Sequence, residues 1–139
     1  MSTDLAEKEK RKKDWSIRGL LKIVSNSLSG IKHFFRYERS AIIYLIACFL
    51  CIGSGLLLQI SSIMEWIVIL FVLLSILSLE LVNTAIEAIC DLVSPEYNIN
   101  VKIAKDCASA ATGVLTLFGW AVVTVIYFPY IIYLIRSIF

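Results

Sequence analysis

Three long apolar stretches constrain the fold of this chain more than any other feature. Residues 40–64 and 107–135 contain no charged side chain, and residues 66–79 are strongly apolar, with a helical pattern that continues to about Leu92. A helix needs about 20 apolar residues to cross a hydrocarbon core about 30 Å thick. With 59% hydrophobic and only 17% charged residues, the composition excludes an ordinary soluble domain and a disordered chain. The sequence therefore predicts an all-α integral membrane protein with three transmembrane helices.

The predicted organisation is a charged tail at residues 1–14 and a single membrane domain at 15–139. Over residues 15–38, apolar side chains recur at near-helical spacing with basic side chains between them. This pattern predicts one or two amphipathic helices in the membrane interface, with a break near Ser29 and Gly30 if there are two. The three transmembrane helices are expected at about 40–60, 64–92 and 105–135.

Polar residues mark the connections between the predicted helices. The segment 59–63 is expected to turn on one side of the membrane, and the polar segment 94–103, which contains Pro95, is expected to form a loop on the other side. Pro129 is expected to kink or end the last helix because proline cannot donate a backbone hydrogen bond.

Basic residues predict the orientation in the membrane. Of the 13 Lys and Arg residues, ten lie in residues 1–40, and Lys102 and Lys105 lie in or beside the loop, whereas the turn at 59–65 has none. By the positive-inside rule, the N-terminus and the loop face the cytoplasm and the C-terminus lies outside. Beside such long apolar stretches, the basic N-terminal region indicates a membrane surface rather than a nucleic acid.

The segment 80–91, which reads ELVNTAIEAICD, carries the strongest signal of a functional site. At 100° per residue, Glu80, Asn83, Glu87 and Asp91 share an arc of about 80° on one helix face. Acidic side chains in a membrane helix are costly in free energy and mark functional sites. Several of them together repel one another unless a cation lies between them, and Mg²⁺ is suited to this role because it prefers oxygen ligands. The alternative is that Asp91, and with it Glu87, has emerged into water.

Further candidates lie on either side of this segment. Lys105, Ser109 and Thr112 share a helix face, and a lysine beside a metal–carboxylate site can hold phosphate oxygens. The alternative for Lys105 is a position at the membrane edge with its ammonium group reaching water. Glu38 is a further candidate carboxylate, with a surface ion pair as its alternative.

These residues form a pattern that resembles the prokaryotic diacylglycerol kinase family, which includes undecaprenol kinases. The match consists of E-[IL]-x-N-[ST]-A-I-E-x-x-x-D at 80–91, then Glu96 and Tyr97, then the segment AKD at 104–106, with the spacing G-x7-E from Gly30 to Glu38 upstream. The resemblance covers roughly residues 25–125. The chain departs from the family pattern at Asn98, where His is frequent, and at Ser40, where undecaprenol-type members often have Asn.

The resemblance implies a homotrimer of subunits with three transmembrane helices and an amphipathic N-terminal surface helix, in the bacterial cytoplasmic membrane. It implies transfer of the γ-phosphate of MgATP to a lipid hydroxyl at the cytoplasmic face. The lipid would be diacylglycerol or undecaprenol, and no nucleic acid partner is expected. The implied roles are base and lipid contact for Glu80, orientation of the site for Asn83, metal and ATP binding for Glu38 and Glu87, ATP contact for Lys105 and Asp106, and lipid contact for Ser109.

Two other functions are compatible with acids inside the membrane. A small membrane protein that conducts protons or cations would use the same carboxylates as an ion pathway. A noncatalytic membrane subunit would pair them with a partner helix. Neither alternative requires Lys105 and Asp106 at the interface, nor dependence on ATP.

Overall fold

The structure is a computed structural model that describes residues 16–94, 96 and 98–138. The described residues form four helices and no strand: α1 (Ile17–Tyr37), α2 (Arg39–Leu57), α3 (Ile63–Val93) and α4 (Ile99–Ile138). Helices α2, α3 and α4 are each long and apolar enough to cross a membrane. The predicted all-α membrane fold is thereby confirmed. The charged tail predicted at 1–14 lies outside the described residues.

The chain divides into two compact units, one that ends at His33 and one that covers Phe34–Phe139. Helix α1 begins in the first unit. The Ser16 hydroxyl accepts a hydrogen bond from the Gly19 amide at 3.1 Å and so caps the first turn. The helix then runs without a break through Ser29, whose hydroxyl donates to the Ser25 carbonyl at 2.9 Å. Of the two interpretations of this segment, a single helix is the one that forms.

Two short non-helical segments turn the chain before and after α2. Glu38 is extended, with φ −90° and ψ 134°, and its side chain makes no capping hydrogen bond to α2. After Leu57, Gln59 adopts the left-handed conformation with φ 54°, which reverses the chain. The Trp66 indole N–H donates to the Ile60 carbonyl at 3.1 Å and fastens this turn to the start of α3.

The start of α4 differs from the sequence expectation. The predicted loop at 94–103 is wrong from residue 99 onward, because α4 already begins at Ile99. The physical cause is Asn98, whose side-chain oxygen accepts the Asn100 amide at 2.9 Å and whose carbonyl accepts the Lys102 amide at 3.0 Å. At the other end, Pro129 does not end the helix, which continues to Ile138.

The transmembrane helices pack around a small apolar core, and α3 packs far more extensively against α4 than against α2. Glycine makes the close approach possible, because a β-carbon at Gly119 would lie 2.7 Å from Cγ1 of Val72 on α3. Tyr127 fixes α4 to α2 by donating its hydroxyl hydrogen to the Cys51 carbonyl. The core consists of Cys51, Ile60, Ile69, Leu73, Val123 and Tyr127.

The length of α3 places its polar residues at one end of the bundle. From Ile63, a rise of 1.5 Å per residue puts Glu80 at about 26 Å and Glu87 at about 36 Å along the helix axis. The hydrocarbon core of a bilayer is about 30 Å thick. If α3 enters the hydrocarbon near Ile63, Glu80 therefore lies near the opposite boundary and Glu87 lies in the headgroup region.

Candidate active site

A polar cleft of about 420 Å³ forms where α2 begins and where the polar half of α3 faces the start of α4. Of the seven site residues expected from the sequence, this cleft brings together five: Glu38, Glu80, Asn83, Glu87 and Ser109. They come from three separate segments of the chain. The remaining lining residues are Tyr37, Arg39, Ser40 and Thr112.

Asn83 and Glu87 are linked within the cleft. The Asn83 amide nitrogen donates to Oε1 of Glu87 at 3.1 Å, a contact between residues one helical turn apart. The other end of the Asn83 amide, Oδ1, is buried and meets no hydrogen-bond donor among the described residues. A buried acceptor without a donor costs free energy unless a ligand or cation completes it. Asn83 therefore both orients Glu87 and retains an amide oxygen that can accept a hydrogen bond.

Glu38 reaches the same cleft because the chain breaks between α1 and α2. Its backbone is extended and its carboxylate makes no bond to the first amides of α2, so this group remains available for a ligand. Magnesium in phosphoryl-transfer sites is commonly bound by one or two carboxylates together with substrate phosphates. Within the described residues, no cluster of three or more acidic, His or Cys side chains could hold a metal. Glu38 and Glu87 place two carboxylates in one cleft, and carboxylate oxygen is a ligand type that fits Mg²⁺.

Lys105 and Asp106 do not line the cleft. The ammonium group of Lys105 instead pairs with Asp91, one turn beyond Glu87 on α3. The Asp91 side chain is 70% exposed, which is compatible with the interpretation that this carboxylate has emerged into water. Asp106 is exposed and is absent from the residues that line the cleft. The Lys105–Asp91 ion pair joins the polar end of α3 to the first turns of α4.

Three lining residues were not identified as site residues from the sequence: Tyr37, Arg39 and Ser40. All three lie within two residues of Glu38, so the break in the helix at that position brings them into the cleft together with the carboxylate. A charged residue between two predicted helices was the available signal. The sequence pattern did not show that the residues next to Glu38 would line the same cleft. Thr112, which does share a helix face with Ser109, donates its hydroxyl hydrogen to the Ser109 carbonyl at 2.8 Å.

A second, apolar cleft of about 210 Å³ adjoins the polar one and lies deeper between α2, α3 and α4. The two clefts share Ser40 and Glu80. Glu80 therefore lies at the junction of a polar and an apolar space. The other residues that line the apolar cleft are Ile43, Tyr44, Ala47, Cys51, Val72, Leu73, Ile76, Thr116, Gly119, Trp120 and Val123.

Comparison with known proteins identifies the family of this chain. The sequence pattern of the family described as prokaryotic diacylglycerol kinase matches residues 25–128, which include all seven expected site residues. The chain belongs to the prokaryotic diacylglycerol kinase family. Membership makes it a lipid kinase and a membrane protein with several transmembrane segments.

Individual relatives carry both of the names expected for the family. The chain is 33% identical over 100 residues to an undecaprenol kinase from Bacillus subtilis, a match that covers 72% of this chain and 80% of that protein. It is 33% identical over 104 residues to a diacylglycerol kinase from Sinorhizobium, with 71% of each chain covered. A diacylglycerol kinase from Synechocystis is also 33% identical over 108 residues, which make up 76% of this chain but only 61% of that relative. No solved structure matches the chain.

Proposed function

We propose that this protein transfers the γ-phosphate of ATP, bound with Mg²⁺, to the hydroxyl group of a membrane lipid, either diacylglycerol or undecaprenol. The observation that carries this proposal is the position of Glu80, which lies where the polar and apolar clefts meet. A lipid in the apolar cleft can present its hydroxyl group to Glu80 while its hydrocarbon remains within the bilayer. The polar cleft beyond Glu80 has room for phosphate groups.

The reaction forms one bond to phosphorus and breaks another. The lipid oxygen attacks the γ-phosphorus, the bond between this phosphorus and the oxygen that bridges to the β-phosphate breaks, and ADP leaves with that oxygen. Glu80 accepts the proton of the lipid hydroxyl. Such reactions are accelerated mainly by positioning and by neutralisation of charge.

The other residues of the cleft would position the nucleotide. Glu38 and Glu87 would hold Mg²⁺, which supplies neutralisation of the phosphate charge when bound. Asn83 would keep Glu87 in place through the hydrogen bond between them. Lys105 would contact the phosphates, either in place of its ion pair with Asp91 or in addition to it. Asp106 would contact the nucleotide, and Ser109 would contact the lipid.

The same proposal includes the surroundings of the enzyme. The cluster of basic residues before Ala41 favours a cytoplasmic N-terminus in a bacterial inner membrane. The clefts then open where ATP is present. The homotrimer and the single kinase domain at 15–139 are implied by the family resemblance, and residues 16–37 would include its surface helix.

The test is transfer of labelled phosphate from ATP to lipid by purified protein in lipid bilayers with Mg²⁺. Diacylglycerol and undecaprenol are supplied separately. We expect label in lipid with the wild-type protein and a loss of at least about 100-fold with Glu87→Gln. The matched control is Glu65→Gln, on the same helix but at its opposite end, where the side chain accepts a hydrogen bond from Tyr130 at 2.6 Å.

Two results would contradict the proposal. One is the absence of lipid labelling by wild-type protein that binds ATP and remains folded. The other is an equal loss of activity in Glu65→Gln and Glu87→Gln, because the loss could then not be attributed to the polar cleft. A cation flux across the bilayer that is independent of ATP and sensitive to Glu87→Gln would favour ion conduction instead.

A further inference from the structure

The apolar cleft is formed by one face of each transmembrane helix. On α2, Ser40, Ala47 and Cys51 lie along the same face at helical spacing. On α3, Val72 and Glu80 mark its two ends, which are separated by about 12 Å along the helix axis. On α4, Gly119 and Trp120 contribute to the lining. The cleft, called the channel below, therefore extends from Glu80 along the helix axes toward the middle of α3.

The volume of this channel limits what it can hold. It measures about 210 Å³, whereas an apolar cavity of about 150 Å³ accommodates a single benzene molecule. Spread over about 12 Å of length, this space is sufficient for a segment of one hydrocarbon chain. Two acyl chains side by side would require the helices to separate.

The helix packing around the channel opposes such a separation. At Gly119, a single added β-carbon would already lie 2.7 Å from Cγ1 of Val72, so α3 and α4 are in close contact there. Across the channel, the Tyr44 hydroxyl donates to the Leu73 carbonyl at 3.1 Å and ties α2 to α3. This hydroxyl is consequently engaged, and it is less available to an ester carbonyl of a lipid.

We infer that the apolar cleft is the hydrocarbon subsite of the lipid acceptor and that it admits one chain, attached next to the reacting hydroxyl group. The preferred acceptor is then a membrane alcohol with a single long chain, of which a polyprenol is one example. A diacylglycerol has two chains beside its hydroxyl group, and it must leave at least one of them outside the cleft. This inference rests on the proposed lipid kinase activity and narrows it to one class of acceptor.

Ala47 is the position at which this subsite can be altered with least change elsewhere. It lines the cleft between Ile43 and Cys51 and is only partly buried. A leucine at this position adds three carbon atoms to the face that borders the channel. Ala121 on α4 is exposed and lies outside the apolar cleft, so Ala121→Leu is the matched control for an equal increase in side-chain size.

The experiment compares kcat/KM for three acceptors in bilayers: undecaprenol, a monoacylglycerol with a 14-carbon chain, and the diacylglycerol with two such chains. The two glycerol lipids share the primary hydroxyl group that reacts, and the monoacylglycerol has a hydroxyl group where the diacylglycerol has its second chain, so their ratio reports the effect of replacing that hydroxyl group by a chain. A monoacylglycerol with a four-carbon chain serves as an acceptor that does not fill the channel. Binding of ATP is measured separately for every variant.

We expect both single-chain acceptors to exceed the diacylglycerol in kcat/KM by about tenfold or more. We expect Ala47→Leu to lower kcat/KM at least about tenfold for the 14-carbon monoacylglycerol and undecaprenol, and to change it little for the four-carbon acceptor. The dissociation constant for ATP should remain unchanged, as should all values for Ala121→Leu. If Ala47→Leu weakens ATP binding or fails to fold, the smaller Ala47→Val replaces it.

The outcomes separate this inference from the proposed function. Absence of labelled product from every lipid overturns the kinase proposal itself. Labelling of the diacylglycerol at least as fast as of the matching monoacylglycerol overturns only the single-chain inference. An Ala47 variant that binds ATP normally and phosphorylates long and short acceptors like the wild type shows that the hydrocarbon lies elsewhere.

Discussion

Gly119→Ala tests whether the close approach of α3 and α4 stabilises the transmembrane bundle. The added β-carbon would lie 2.7 Å from Cγ1 of Val72 and 3.3 Å from Cδ1 of Ile76, whereas carbon atoms in contact prefer about 3.5–4.0 Å. Val72 is 8% exposed, and β-branched side chains have little rotational freedom in a helix. The two helices must therefore move apart by up to about 1 Å, because the side chain cannot turn away.

Overpacking of this kind costs about 1–3 kcal/mol in free energy of unfolding. In water, alanine would recover up to about 1 kcal/mol through its higher helix propensity. Within a membrane this gain is much smaller, because transmembrane segments remain helical when the bundle comes apart. We therefore expect a net loss of about 1–3 kcal/mol.

The assay is reversible unfolding in mixed micelles by increasing amounts of denaturing detergent. Gly113→Ala is the matched control on the same helix, because a β-carbon at Gly113 would meet nothing within 4 Å. In the double variant with Val72→Ala, the loss caused by Gly119→Ala should be largely relieved, since Cγ1 is gone. Equal stability of Gly113→Ala and Gly119→Ala would refute the close packing of α3 and α4, as would an additive double variant.

Two further predictions concern the polar cleft. Asn83→Ala removes the hydrogen bond that orients Glu87, and we expect the Mg²⁺ concentration for half-maximal activity to rise by about 10–100-fold. An unchanged Mg²⁺ titration at saturating ATP would show that Asn83 does not orient Glu87 for metal binding. Asp91→Asn removes the anion that pairs with Lys105, and we expect KM for ATP at low salt to fall by no more than a few-fold, because the pair is exposed and screened by water. Lys102→Gln, which changes an exposed cation near the same helix start, is the control, and a rise in KM for Asp91→Asn would contradict the competition between Asp91 and phosphate.

The sequence alone was sufficient for the secondary structure of the transmembrane region. Uninterrupted apolar stretches leave a chain few alternatives, because backbone groups in hydrocarbon must be hydrogen-bonded within a helix. The residues at which the helices begin and end were harder to predict from the sequence. Helix α4 begins at Ile99 rather than after the polar segment, because capping by Asn98 is a local interaction that polarity does not reveal. Pro129 lies inside the same helix, and its effect depends on how the neighbouring carbonyl groups are accommodated.

The polar stripe on α3 was also predictable, since Glu80, Asn83 and Glu87 are placed together by helical geometry alone. Their meeting with Glu38 and Ser109 was expected only from the family resemblance. Glu38 is separated from Glu80 by more than forty residues, so no helical period relates the two positions. It reaches the cleft because its extended backbone ends one helix and starts another.

The sequence by itself determined that this protein is helical, that it spans a membrane three times, and that three acidic or amide side chains share one face of α3. These properties depend on hydropathy and on the helical repeat, which are local. Only the tertiary structure decided that Glu80 stands between a polar and an apolar cleft and that Lys105 pairs with Asp91. Both depend on the distance between helices, which side-chain packing at positions such as Gly119 sets.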